Sequence, residues 1–212
     1  MKPLIIISFL VVISSCKQRN ENVSYGPPDY DSLGLVLEKM LDEEQEIRRI
    51  LADSIGFDSP AAGPFIKKMQ KIDEYNRENI EIILGRYGWI PKSKIGEKAS
   101  DAIFYIVQHS NEELLEKYFS QFKALADSGE ANPRLCAMME DRLLMWQGKK
   151  QIFGTQAADF RPDKKMAIWP IEDPGNVDAR RKKIGFNQTV EEYAKSMDVM
   201  FDPDEELPPD NN

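Results

Sequence analysis

Five polar side chains occupy positions where helical spacing calls for apolar ones. Gln45 and Arg48 follow Leu41 by four and seven residues, and Asn76 stands four after Ile72 and four before Ile80. His109 is three after Ile106 and seven after Ala102, and Arg142 is three after Met139 and four before Trp146. Separations of three, four and seven fall on one helix face. Each of these groups is therefore expected to point where its helix packs. A buried polar group without a partner costs about 1–3 kcal/mol, so four helices that each carry one imply that the groups meet. Asp73 and Asp141 flank two of them and are the expected negative partners. Arg142 in particular is expected to be held by a carboxylate, with Asp73 the first candidate and a neighbour of His109 the second.

Such a cluster admits two kinds of chemistry. It can be a structural network that fixes helix register, with arginine stems buried and heads reaching water. It can instead line a polar pocket between helices, a frequent place for ligand sites in bundles. As a catalytic set, His109 would be general base or acid. Arg142 and Arg48 would hold an anionic group, and Asp141 or Asp73 would orient the others. His109 is the single histidine, so no multi-histidine metal site is expected, and no cofactor. A lone histidine at a helix C-terminus is also what the helix dipole stabilises when protonated. Gly-x-Ser-x-Gly, P-loop, His-Glu-x-x-His and Gly-x-Gly-x-x-Gly patterns do not occur. Glu172 and Asp173 are adjacent after a strand-like run and point to opposite faces, a poor catalytic dyad.

These residues are carried by a chain of 212 residues, enough for one domain with a sizeable core. The net charge of −8 argues against a nucleic-acid footprint. The densest basic cluster, residues 180–183, sits beside acidic neighbours and reads as a solvated helix face.

The first residues are read as an export signal and not as part of the fold. A basic start is followed by an apolar run over residues 4–13, too short to cross a bilayer core of about 30 Å as a helix. Ile13-Ser14-Ser15-Cys16 then resembles the lipobox of bacterial lipoproteins. That resemblance implies cleavage after residue 15 and a diacylglyceryl group on the Cys16 sulfur. Several acyl chains, palmitate among them, together hold a protein at a membrane where one is marginal. Lys17 follows the cysteine in place of the aspartate that the same resemblance associates with inner-membrane retention. The location this implies is the cell envelope, facing the periplasm, and for a Gram-negative source the outer membrane. Residues 16–31 are polar, broken by Gly-Pro-Pro, and read as a tether. With Cys16 lipidated, Cys136 is left alone in an apolar helix and is expected to be buried and inert.

Helical periodicity predicts five long helices, over about 32–52, 64–87, 96–109, 110–125 and 133–147. Ser110-x-x-Glu113 is read as the capping box of the fourth. Two strands are expected over 151–156 and 166–171. Glycine in the first, Gly154, is expected to mark a special backbone geometry or a close approach. Asp173 is expected to cap a helix that Gly185 stops, and Thr189-x-x-Glu192 a last one to about 200. The fold expected is mainly α: one domain over residues 32–200, with a small two-stranded element and short C-terminal helices. An acidic, proline-rich tail over 201–212 is expected to be disordered.

The order Glu44-Gln45-x-x-Arg48, Asp73-x-x-Asn76, Gly88-Trp89-Ile90-Pro91, Ile106-Val107-Gln108-His109 and Asp141-Arg142 is followed by Gly148-x-x-Gln151-Ile152-Phe153-Gly154-Thr155-Gln156. Pro170-Ile171-Glu172-Asp173-Pro174 and Arg180-Arg181-x-x-Ile184-Gly185 complete it. The set resembles a bacterial family known as domain of unknown function 6624, often found in predicted lipoproteins. Where that family shows Asp-Gln on the first helix, this chain has Glu44-Gln45, which keeps the carboxylate. No activity travels with the resemblance. With the stripe residues, it points to Gln45, Arg48, Asp73, Asn76, Gln151, Thr155 and Gln156 as ligand-binding candidates, and His109, Asp141 and Arg142 as catalytic ones. The expected function is a cell-envelope module binding a small ligand, a glycan or a protein through a polar cleft. The alternative is a hydrolase or transferase with His109 as general base.

Overall fold

Asp29 starts the helical array by accepting the backbone N–H of Ser32 at 3.2 Å, the N-cap geometry that short polar side chains favour. The structure, a computed structural model, describes residues 28–163 and 165–209. The expected leader, lipidated Cys16 and most of the tether fall on residues 1–27, outside the described residues.

The fold is mainly α. Helix α1 (Tyr30–Arg49) runs into a π-helical stretch, Ile50–Ile55. Next come α2 (Gly63–Tyr87), a single turn α3 (Lys92–Ile95), α4 (Glu97–Gln108), α5 (Glu112–Asp127) and α6 (Pro133–Trp146). The five long helices expected from periodicity are α1, α2, α4, α5 and α6. Helix α5 is capped by Asn111, whose side chain accepts from Leu114 N, and not by Ser110, whose hydroxyl donates to the Ile106 carbonyl.

Helix α1 packs against α4 and α2, and α5 against α6. Their apolar faces make one core around Leu37, Ile80, Ile103, Phe104, Leu115 and Met139. Gly34 lets α1 reach α3, since a methyl group there would sit 2.9 Å from the Ile95 carbonyl oxygen. Trp89 stacks on Phe122 with ring centroids 4.2 Å apart, and its backbone N–H donates to the Gln121 side chain. Cys136 is buried in this core, and burial pushes its thiol up to about 12.

The C-terminal part forms a second, smaller core of Ile168, Ile171, Val177, Val190 and Ala194. The antiparallel strands are β1 (Ala157–Ala158) and β2 (Ala167–Ile168), with Ala157 opposite Ile168. The expected first strand is thus displaced: residues 151–156 form a loop, tied to the β2 side by the Gln151–Ile171 bridge and by the Trp169 N–H, which donates to the Gln156 carbonyl. Asp173 takes a left-handed conformation (φ 47°) and caps no helix N–H. Its carboxylate accepts from the Asn176 side chain and from Arg180. A 3₁₀ turn, Pro174–Asn176, leads into α7 (Val177–Lys183), and Thr189 opens α8 (Val190–Ser196) with the expected capping box. Met200 pairs back onto the Met166–Ile168 segment. Beyond it, Glu205 accepts from Arg161 and Glu206 lies 3.3 Å from Lys150.

Candidate functional site: a cleft between the two cores

Loop 151–156 forms one wall of the site, and its N–H groups at Ile152, Phe153, Thr155 and Gln156 are satisfied by side chains where a strand would use a ladder. Asp141 on α6 is 0% exposed. Its carboxylate accepts the N–H groups of Ile152 (2.8 Å), Phe153 (3.0 Å) and Thr155 (3.0 Å), and the Thr155 hydroxyl (2.8 Å). Gln151, also 0% exposed, accepts from Thr155 N and Gln156 N and donates to the carbonyls of Gln156 and Trp169. Burial pushes the Asp141 carboxyl up to about 6 against the opposing pull of those donors. Arg181, buried between the rings of Phe186 and Tyr193, holds the same loop from the other side through the Phe153 carbonyl at 2.8 Å.

A second group of charges joins α1, α2 and α4. Glu44 is 1% exposed and accepts from His109 Nδ1. Arg48 donates from Nη2 to both Asp73 oxygens at 2.9 Å, and its Nη1 lies 3.4 Å from Glu44. Two carboxylates thus share one arginine and one histidine. The bond at Nδ1 fixes His109 with that nitrogen as donor, which leaves Nε2 uncommitted. The second Glu44 oxygen is buried without a hydrogen-bond partner.

Between the two cores lies a cleft of about 420 Å³. One side is helical, with Phe104, Gln108 and His109 at the end of α4 and Met138 and Arg142 on α6. The other side is C-terminal, with Thr155, Gln156, Met166, Tyr193, Met197 and Val199 among its residues. Arg142 is held at its stem side, donating from Nε to Gln156 at 3.1 Å and from Nη1 to the Gln108 carbonyl at 3.0 Å. Its guanidinium carbon sits 5.5 Å from the centre of the Trp146 ring. Burial lowers the Arg142 pKa from its ordinary value, and the charge of Arg48 adds to that against the effect of Tyr193. An arginine keeps its proton even so.

A family model covers residues 31–202 of this chain. The chain belongs to DUF6624, a family of unknown function. Neither the curated proteins nor the solved structures contain a match to it.

In this DUF6624 chain the residues singled out from sequence separate into three groups. His109, Arg142, Thr155 and Gln156 come together in the cleft. Arg48, Asp73 and Asn76 lie on the α1–α2 side. There Arg48 and Asp73 are spent on each other, and Asn76 is buried with its amide toward the Met40 carbonyl. Asp141 and Gln151 are buried in the loop's hydrogen bonding and do not line the cleft.

Two expectations are corrected. Gln45 is exposed, and the inward residue is its neighbour Glu44. Glu44 lies three after Leu41 and three before Ile47, a spacing that could have revealed it. Arg142 is not held by Asp73, which belongs to Arg48. Among the described residues no carboxylate lies within 4.0 Å of the Arg142 guanidinium. Gln108 and Tyr193 were not singled out for the cleft, and neither interrupts an apolar stripe in a way that marks it.

Proposed function

We propose that this protein is a lipid-anchored module of the cell envelope whose cleft binds a small anionic ligand. The observation that carries the reading is Arg142: a charged, largely buried group in a ligand-sized cleft with, among the described residues, no carboxylate to balance it. Buried charges are ordinarily paired, and guanidinium matches planar anions through two parallel N–H donors. A neutral glycan would leave that charge unbalanced, and the cleft volume lies in the range of small-molecule sites. The anchoring half of the proposal rests on the apolar run and Cys16, with the outer membrane, periplasmic side, as the expected place.

Titration of nitrogen-15-labelled protein with formate, phosphate and glucose tests the binding reading at the Arg142 Nε–H resonance. Both anions should shift it and glucose should not. Equal responses to all three, or none, would count against an anion site. Anchoring is tested by fractionation: the wild type should pellet with membranes and Cys16→Ser should not, whereas a wild-type chain free of acyl groups would remove the anchor.

One observation favours a second reading, hydrolysis or group transfer on envelope or nutrient-derived material. Glu44 orients the His109 ring at the edge of the same cleft and leaves Nε2 to accept a proton from water or a substrate hydroxyl. Glu44 then takes the orienting role expected of Asp141 or Asp73. Under this reading His109→Gln abolishes turnover of an anionic ester, while a pure binding module shows no turnover in either form.

A further inference from the structure

The two walls of the cleft differ in chemistry, and the difference describes an occupant. The wall made by α4 and α6 presents the Arg142 guanidinium. Two of its five N–H donors are used, on Gln156 and Gln108, which leaves one on Nη1 and two on Nη2. That is enough for both oxygens of one carboxylate.

The opposite wall is apolar where Met166, Met197 and Val199 close it, and Phe104 and Met138 carry the apolar surface across to the helical side. Met166 is 46% and Met197 37% exposed, large apolar side chains left open to water at the rim. Their flexible thioethers suit an apolar surface that must fit a guest.

We infer that the cleft takes a carboxylate with an apolar body, the chemistry of an aryl- or alkyl-bearing carboxylic acid. The inference rests on the anion-binding reading above and adds the apolar wall to it.

Calorimetry of the purified full chain with three probes tests each part. N-acetylphenylalanine should bind one per chain. N-acetylglycine, which lacks the apolar body, and N-acetylphenylalaninamide, which lacks the charge, should each bind roughly tenfold or more weakly. Arg142→Gln should remove the preference for acid over amide. Met197→Asp, at the rim where folding is not at stake, should weaken N-acetylphenylalanine binding by a larger factor than N-acetylglycine binding. If N-acetylglycine binds as tightly as N-acetylphenylalanine, the apolar body is wrong while anion binding stands. Equal binding of the amide, unchanged in Arg142→Gln, overturns the anion site itself.

Discussion

Asp141 and Arg142 are adjacent on α6, turned about 100° apart around its axis, and they act on the same loop. Asp141 gathers the N–H groups of Ile152, Phe153 and Thr155 beneath the surface. Arg142 meets the loop's last side chain, Gln156, in the cleft. The carboxylate fixes the wall against which the guanidinium is placed. This division assigns Asp141 to architecture and Arg142 to recognition, and it sets apart the consequences of changing each.

Gly154 sits at the tightest point of that wall. Its φ is +67°, and a methyl group there would come within 2.6 Å of Val190 Cγ2 and 2.8 Å of Ile171 Cδ1. Gly154→Ala should therefore lower stability by more than about 1 kcal/mol, read as a fall in urea midpoint. An unchanged midpoint would mean that the loop does not hold this conformation.

The Asp141 carboxyl, at about 6 when folded against an ordinary value of 3.8, gives a pH dependence of definite sign. Between these values the folded chain keeps a proton that the unfolded chain releases. Stability from this group should fall as pH rises through that window, by about 3 kcal/mol in all, and stay flat above it. Comparing wild type with Asp141→Asn at several pH values isolates the effect, since the variant should lack this component. Parallel pH profiles would place the Asp141 titration elsewhere.

Arg48 is the structural counterpart of Arg142. It serves Asp73 directly and stands beside the buried Glu44. Arg48→Met should cost about 3 kcal/mol, because two carboxylates in a partly buried place lose their shared cation. A loss below about 1 kcal/mol, the scale of an exposed pair, would make this network incidental.

How much of this was legible in the sequence follows from which forces were local. The long helices were readable because Leu37, Leu41, Ile80, Ile103 and Ile106 repeat at helical spacing and their burial decides the face. Glu44 and Gln45 were not separable by type. Both are polar and long, and one residue is about 100° of helix, so only the spacing to Leu41 and Ile47 distinguishes them. Loop 151–156 reads as a strand because Ile152, Phe153 and Thr155 favour extended backbone. What overrides that preference is the Asp141 carboxylate, ten or more residues earlier in the chain, and a periodicity argument does not see it. The partner of Arg142 was beyond sequence reasoning for the same reason. Asp73 was a sound candidate by charge, but the fold sets it against Arg48. Gly154 was legible because glycine weakens a β-prone run unless the backbone there needs a positive φ or a close neighbour.

The central claim is that Arg142 faces a ligand and is not a strut of the fold. The denaturant midpoint of Arg142→Met tests it most directly, with the slope of the transition checked for constancy. The account predicts a loss of only about 1–2 kcal/mol, from the Gln156 and Gln108 acceptors that lose a donor, because no buried carboxylate is left uncompensated when the guanidinium goes. A loss of about 3–5 kcal/mol, the cost of breaking a buried ion pair, would show that Arg142 holds the helices together and would contradict the claim.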